Sequence, residues 1–243
     1  MSKKLLLVTK MDDDNYNLFK FDTSLTPEDK TVTLATDRRG DNTSWDGITD
    51  WGDGTLDTNT THTYTNNGVY LVKTKYILDE SNNRNNNTRK KLIDCININN
   101  NMTDVSFIFK NCINVVEFSS TKWNTKNIIN ALAMFSSCTK LTTLDLSKCD
   151  ASNITNMNSM FNECKSITTL DISNFNTNKV TDMDYMFYVC SKLTTLNISN
   201  FNMDNVTTYV YMFTDCTSLY QSGLTMTNCN EATKTKINSM VKA

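Results

Sequence analysis

Apolar residues return on a fixed beat through the second half of the chain. Cys112, Cys138, Cys164, Cys190 and Cys216 lie 26 residues apart, and Phe109, Phe135, Phe161, Phe187 and Phe213 precede them by three. The same beat aligns Ile128, Ile154, Val180 and Val206, then Met134, Met160, Met186 and Met212, then Leu141, Ile167, Leu193 and Leu219. Leu144, Leu170 and Leu196 form a further column, as do Leu146, Ile172, Ile198 and Leu224, and the bulky set Trp123, Cys149, Phe175 and Phe201. Columns that stay apolar at one period mark a repeat protein, whose unit buries its apolar face only when a neighbour stacks on it.

Within a unit, residues 192–199 (KLTTLNIS) have the L-x-x-L-x-L spacing of a short strand with its leucines inward. Residues 180–187 (VTDMDYMF) place Val180, Met183, Met186 and Phe187 at helical offsets. The pattern therefore predicts strand-plus-short-helix units stacked into a curved solenoid with a parallel sheet. Cysteines repeating at one depth read as buried thiols that fill the same notch in every coil. No Cys-x-x-Cys pair occurs, which argues against a zinc or redox site.

Residues 153–177 (NITNMNSMFNECKSITTLDISNFNT) and 179–203 (KVTDMDYMFYVCSKLTTLNISNFNM) resemble the BspA-type leucine-rich repeats of bacterial surface proteins. The resemblance covers about 102–226 and is cleanest from 128 to 205. It implies a non-enzymatic role in adhesion and protein recognition. In the first unit Phe118 and Ser120 replace the strand leucines, as in a starting coil. Near the end, Asn230 is placed to N-cap a helix carrying Lys234, Lys236 and Lys242, a C-terminal cap for the last coil.

Residues 1–80 carry no echo of the repeat. LFKFDTSL, KTVTLATD and GVYLVKTKYIL alternate like strands, with turn signals at Asp53-Gly54 and Asn67-Gly68. The run WGDGT followed by HTYTNNGVYLV is similar to the polycystic kidney disease (PKD) domain, which implies an immunoglobulin-like sandwich used as a spacer or weak binder. The matching residues include Trp51, Gly52, Asp53, Gly54, His62, Tyr64, Gly68 and Tyr70. His62 and Asp53 lack the third group that orients a catalytic base, and short polar residues beside glycines suit local turn bonds. Asp12, Asp13 and Asp14 lack the spaced ligands of a calcium loop. The fold expected is thus an N-terminal all-β immunoglobulin/PKD-like sandwich (1–80), an Asn-rich linker (81–91) and a leucine-rich-repeat solenoid (92–243) whose N-terminal cap holds Leu92, Ile93, Ile96 and Ile98.

Composition narrows the function. Twenty-four basic and 26 acidic residues leave a net charge of −2, so no global field draws the chain to nucleic acid or to anionic lipid. The longest apolar run near the start, Leu5 to Val8, is too short for a signal peptide or a membrane span. With one histidine and no assembled nucleophile and base, no catalytic residue, metal site or cofactor is expected. Outward residues of successive strands instead form polar columns: Glu117, Thr143, Thr169, Thr195 and Gln221, then Ser119, Asp145, Asp171, Asn197 and Gly223, then Thr121, Ser147, Ser173, Ser199 and Thr225. Glu117, Thr143, Asp145, Thr169, Asp171, Thr195, Asn197 and Gln221 are the expected contacts for a protein or glycan on a cell or particle surface. Asp145 and Asp171, one strand apart, could hold a cation or a cationic partner. Tyr185, Tyr188, Tyr209 and Tyr211 cluster on the predicted helical face. Two exterior roles fit: a bacterial adhesin, or a bacteriophage virion protein that reaches the outside by assembly.

Overall fold

The computed structural model describes residues 17–35, 48–74, 77–78, 90–97, 102–120, 123 and 125–242. These form mostly small, mixed β-sheets with one short helix, which corrects the expected immunoglobulin-like sandwich and leucine-rich solenoid of strand-plus-helix units. Asp12–Asp14, most of the linker, Ile98 and Thr121 lie outside the described residues.

In the N-terminal part, β1 (Asn17–Asp22) turns Phe19 and Phe21 inward. Both of its edges are occupied. β6 (Val69–Thr74) pairs antiparallel from Asn17↔Thr74 to Asp22↔Val69, and β8 (Leu92–Asn97) pairs antiparallel on the other side. With β3 (Thr49–Asp50) and β4 (Leu56–Asp57) the order is β4-β3-β6-β1-β8, while β2 (Thr31–Ala35) joins β5 (Thr61–Thr63) and β7 (Ile77–Leu78) in a separate sheet. β3, β4 and β7 have two residues each, too short to build two extended facing sheets. β8 comes from the stretch expected to cap the repeats. It completes the sheet at β1 and also lies against the first repeat strand. Beside it, the fully buried Lys91 donates to the Thr31 carbonyl at 2.8 Å and lies 3.5 Å from Asp29 Oδ2.

The repeats stack as coils in parallel register. β9 (Glu117–Ser119), β10 (Thr143–Asp145), β11 (Thr169–Asp171) and β12 (Thr195–Asn197) each bury their middle residue. A second line of contact runs through parallel bridges from Asp104 to Asn130, Asn156, Asp182 and Thr208. The turns that follow stand where the helix was expected. Each unit there holds two left-handed residues four apart, such as Ser159 and Glu163 or Tyr185 and Val189, with φ between 52 and 63° across the five units. Bonds such as Met160 N–H to Met157 O and Cys164 N–H to Phe161 O close three-residue turns. Alternate amides point out of the coil. Those of Met157, Ser159, Phe161 and Glu163 donate to the carbonyls of Asp182, Asp184, Met186 and Tyr188 in the next coil at 2.8–2.9 Å.

Spacing explains the correction. Phenylalanine rings of successive coils stack 5.2–5.8 Å apart, close to the ~4.8 Å between paired strands. A helix is about 10 Å wide with its side chains and cannot stack at that pitch. Turns that send every second amide to the neighbour can. Their three-residue rhythm still points Met183, Met186 and Phe187 inward, so the apolar spacing mimics a helix.

Polar side chains add ladders of their own. Thr155, Thr181 and Thr207 each donate Oγ1–H to the carbonyl one coil back, those of Ile129, Thr155 and Thr181. The amides of Asn153 and Asn205 donate to Lys126 O and Asn178 O at 2.7 Å. The column thiols do the same indoors: Cys138, Cys164, Cys190 and Cys216 donate to the carbonyls of Phe109, Phe135, Phe161 and Phe187 at 2.9–3.2 Å. At the far end α1 (Glu231–Asn238) is N-capped by Asn230, whose Oδ1 accepts from Thr233 N–H at 2.7 Å, the role its position predicts. Thr233 and Ile237 are buried, and Thr233 Oγ1 accepts the Met203 amide.

Two substitutions test this packing. Phe161→Ala, in mid-stack, lowers stability by about 3–5 kcal/mol, read as a lower urea midpoint at unchanged slope. Val189→Asn raises stability by about 1 kcal/mol, because a β-branched residue is strained in the left-handed region that Asn111 already occupies in the same column.

Candidate functional site

The strand face is built by alternation. In each short strand Phe118, Leu144, Leu170 or Leu196 faces inward, and the residues on either side face out. Thr143 pairs with Glu117, Asp145 with Ser119, Thr169 with Thr195 and Asp171 with Asn197, so the expected columns form within each sheet. Glu117, Thr143, Thr169, Asp171 and Thr195 are exposed, whereas Asp145 and Asn197 are half-buried.

Between β10 and β11 the columns part. β9–β10 and β11–β12–β13 are separate sheets, where β13 is Leu224–Thr225. A groove of about 610 Å³ lies along this seam, lined by Thr143, Asp145, Ser147, Thr169, Asp171 and Ser173 among others. Asn174 spans it, its side-chain amide donating to Leu146 O at 3.0 Å and to Cys149 O at 2.7 Å. Four of the eight expected contact residues therefore line one groove. The sequence carries no sign of it, since the 26-residue columns run unbroken across the seam.

Asp145 and Asp171 lie on successive strands and share the groove, while those two strands belong to different sheets. Each carboxylate is already engaged, accepting the amide of Ser147 or Ser173 at 2.9 Å in an Asx turn. Those serine hydrogen bonds hold both carboxyls below their ordinary range. Asn197 takes the same part for Ser199.

The last two column members are displaced. Gln221 lies in a 3-10 turn, Gln221–Gly223, and its amide donates to Asn238 O at 3.0 Å. β13 consequently pairs as Leu196↔Leu224 and Asn197↔Thr225, two residues beyond the repeat. Gly223 is needed there because a Cβ would come within 2.0 Å of the Thr194 carbonyl. Of the tyrosines, Tyr185 packs 5.3 Å from Tyr211 and 5.6 Å from Tyr188, on the turns and not on a helix.

In the N-terminal part, His62 Nε2 meets Asp53 Oδ2 at 2.7 Å and its ring stacks on Trp51 at 5.1 Å. Asp53 also accepts the Thr55 amide, and Tyr64 donates to Trp51 O at 2.9 Å. The pair ties the turn to the following strand. Among the described residues, no group of three or more His, Cys, Asp or Glu could hold a metal ion, and no helix is long and apolar enough to cross a membrane.

A ladder of 26-residue coils with an open polar seam defines the molecule as a repeat protein of stacked short strands and turns. Residues 103–227, just over half of the chain, match the family described as Mycoplasma protein of unknown function, DUF285, and the chain belongs to that family. No curated protein and no solved structure matches it.

The thiol column carries a pH signature. Burial pushes the Cys164 thiol from 9.0 up to about 12, and contact with Cys216, then burial, raises Cys190. Such groups favour the folded state fully below pH 9, and that contribution fades as pH rises toward 12, because the unfolded thiols ionise first. Denaturant midpoints should hold steady from pH 6 to 8.5 and fall above pH 9. Cys164→Ser, whose hydroxyl can still donate to Phe135 O but does not titrate here, should show a shallower fall.

Proposed function

We propose that the chain is a non-catalytic binding module that meets a protein or a glycan outside a cell through its strand face. The observation that supports this reading is the seam groove. Thr143, Thr169 and Asp171 stand exposed on its two walls, and rigid coils hold them at fixed spacing. Short hydroxyls and a carboxylate on a preorganised surface exchange hydrogen bonds with little loss of side-chain freedom, which favours binding of polar partners. The stacked interior below leaves these outward positions free to differ from coil to coil.

Screening the intact chain against glycan and surface-protein arrays tests the reading. Thr143→Lys with Thr169→Lys, both at exposed positions, should weaken any bound partner by about tenfold or more while leaving the thermal midpoint within about 2 °C. Partners that bind the double variant as well as the parent would remove the strand face from the proposal.

A further inference from the structure

The turn ladder ends at residues 209–215, and it ends open. In the coil before, Met183, Tyr185, Phe187 and Val189 donate their amides to Thr208, Val210, Met212 and Thr214, all at 2.9 Å. The equivalent amides of Tyr209, Tyr211, Phe213 and Asp215 meet no acceptor among the described residues. Beyond Cys216 the chain leaves this path. It forms the 3-10 turn, then β13 and α1, which covers Met203, so no sixth turn segment follows.

On this edge the amides are the open groups. The carbonyls of Tyr209, Tyr211 and Phe213 already accept from Met212, Thr214 and Cys216 within their own turns. What complements it is a row of acceptors at two-residue intervals, which a peptide backbone supplies. Two hollows flank the row. One of about 500 Å³ runs beside residues 207–214 and Met240. The other, about 210 Å³, is bounded by Phe213, Cys216, Leu219, Met240 and Val241. It lies at the end of the phenylalanine stack and is roomier than the ~150 Å³ apolar cavity that holds a benzene ring. Val210 and Tyr211, beside the open amides, are 51% and 55% exposed.

We propose that the open edge at residues 209–215 binds a peptide segment of about seven residues from a partner protein, in the manner of backbone augmentation. The segment places carbonyls opposite the four amides and one aromatic side chain in the hollow beside Phe213. It adds to the chain the turn segment that each earlier coil receives from its successor. This site is separate from the strand face and stands or falls independently of it.

The probe is a synthetic peptide with the sequence of residues 206–216, VTTYVYMFTDC, the stretch that fills the same role for residues 183–189. It is added under reducing conditions to the intact, isotope-labelled chain. Amide exchange at Tyr209, Tyr211, Phe213 and Asp215 should slow by about tenfold or more. A peptide carrying Phe213→Ala should bind about tenfold more weakly. Unchanged exchange at these amides, or equal binding of the two peptides, overturns the proposal. Protection of the same amides that grows with chain concentration and needs no peptide also overturns it, by making a second copy of the chain the occupant.

Discussion

The pitch of the stack governs everything else in the repeat region. Successive coils sit 5.2–5.8 Å apart at their phenylalanines, and at that distance each must meet its neighbours through backbone hydrogen bonds on every side. Three-residue strands meet the demand on one side. Elsewhere the demand selects left-handed residues, because only a backbone that reverses hand at intervals can aim alternate amides along the stack. The strain of Val189 or Tyr185 with positive φ is thus a local cost of a long-range requirement. It is offset by four inter-coil hydrogen bonds in each unit, as the row from Met157 to Glu163 illustrates.

That constraint separates what could be read in the sequence from what could not. The columns of Cys164, Phe161, Leu170 and Ile172 announce the repeat, its inward positions and its outward ones, because side-chain alternation in a strand is a local property. Val180, Met183, Met186 and Phe187 misled, since turns of three residues and turns of 3.6 bring the same four positions to one face over so short a span. The choice between them depends on neighbouring coils, which no single unit encodes. Near the end, the 26-residue count aligned Gln221 and Gly223 with strand residues. The two extra residues of the 3-10 turn shifted the partners to Leu224 and Thr225.

In the N-terminal part the same division holds. Trp51, Asp53, His62 and Tyr64 sit where turn chemistry puts them, joined by bonds between near neighbours. The number and length of the strands did not follow from alternation, because pairing decides them. β8 takes its place at β1 only when the chain returns from beyond the Asn-rich stretch. Likewise the seam between β10 and β11 has no counterpart in the columns, and it alone gathers Thr143, Asp145, Thr169 and Asp171 round one groove.

A stack held by such ladders has two kinds of surface, and they differ in what they can recognise. Along the flanks, the seam between β10 and β11 apart, the backbone is engaged in ladders, so contacts rest on side chains, and the outward positions decide specificity without disturbing the pitch. At the ends the backbone itself is unsatisfied unless something covers it. At the N-terminal end β8 lies against the first repeat strand and continues into the sheet of β1. α1 deals with the C-terminal end differently. It packs Ile237 inward and covers Met203 as an apolar lid, but the carbonyls its last turn leaves free meet Gln221 and Ser239, not the row of amides from Tyr209 to Asp215. The capping element that best protects the apolar interior is therefore the one that leaves a polar edge exposed beside it.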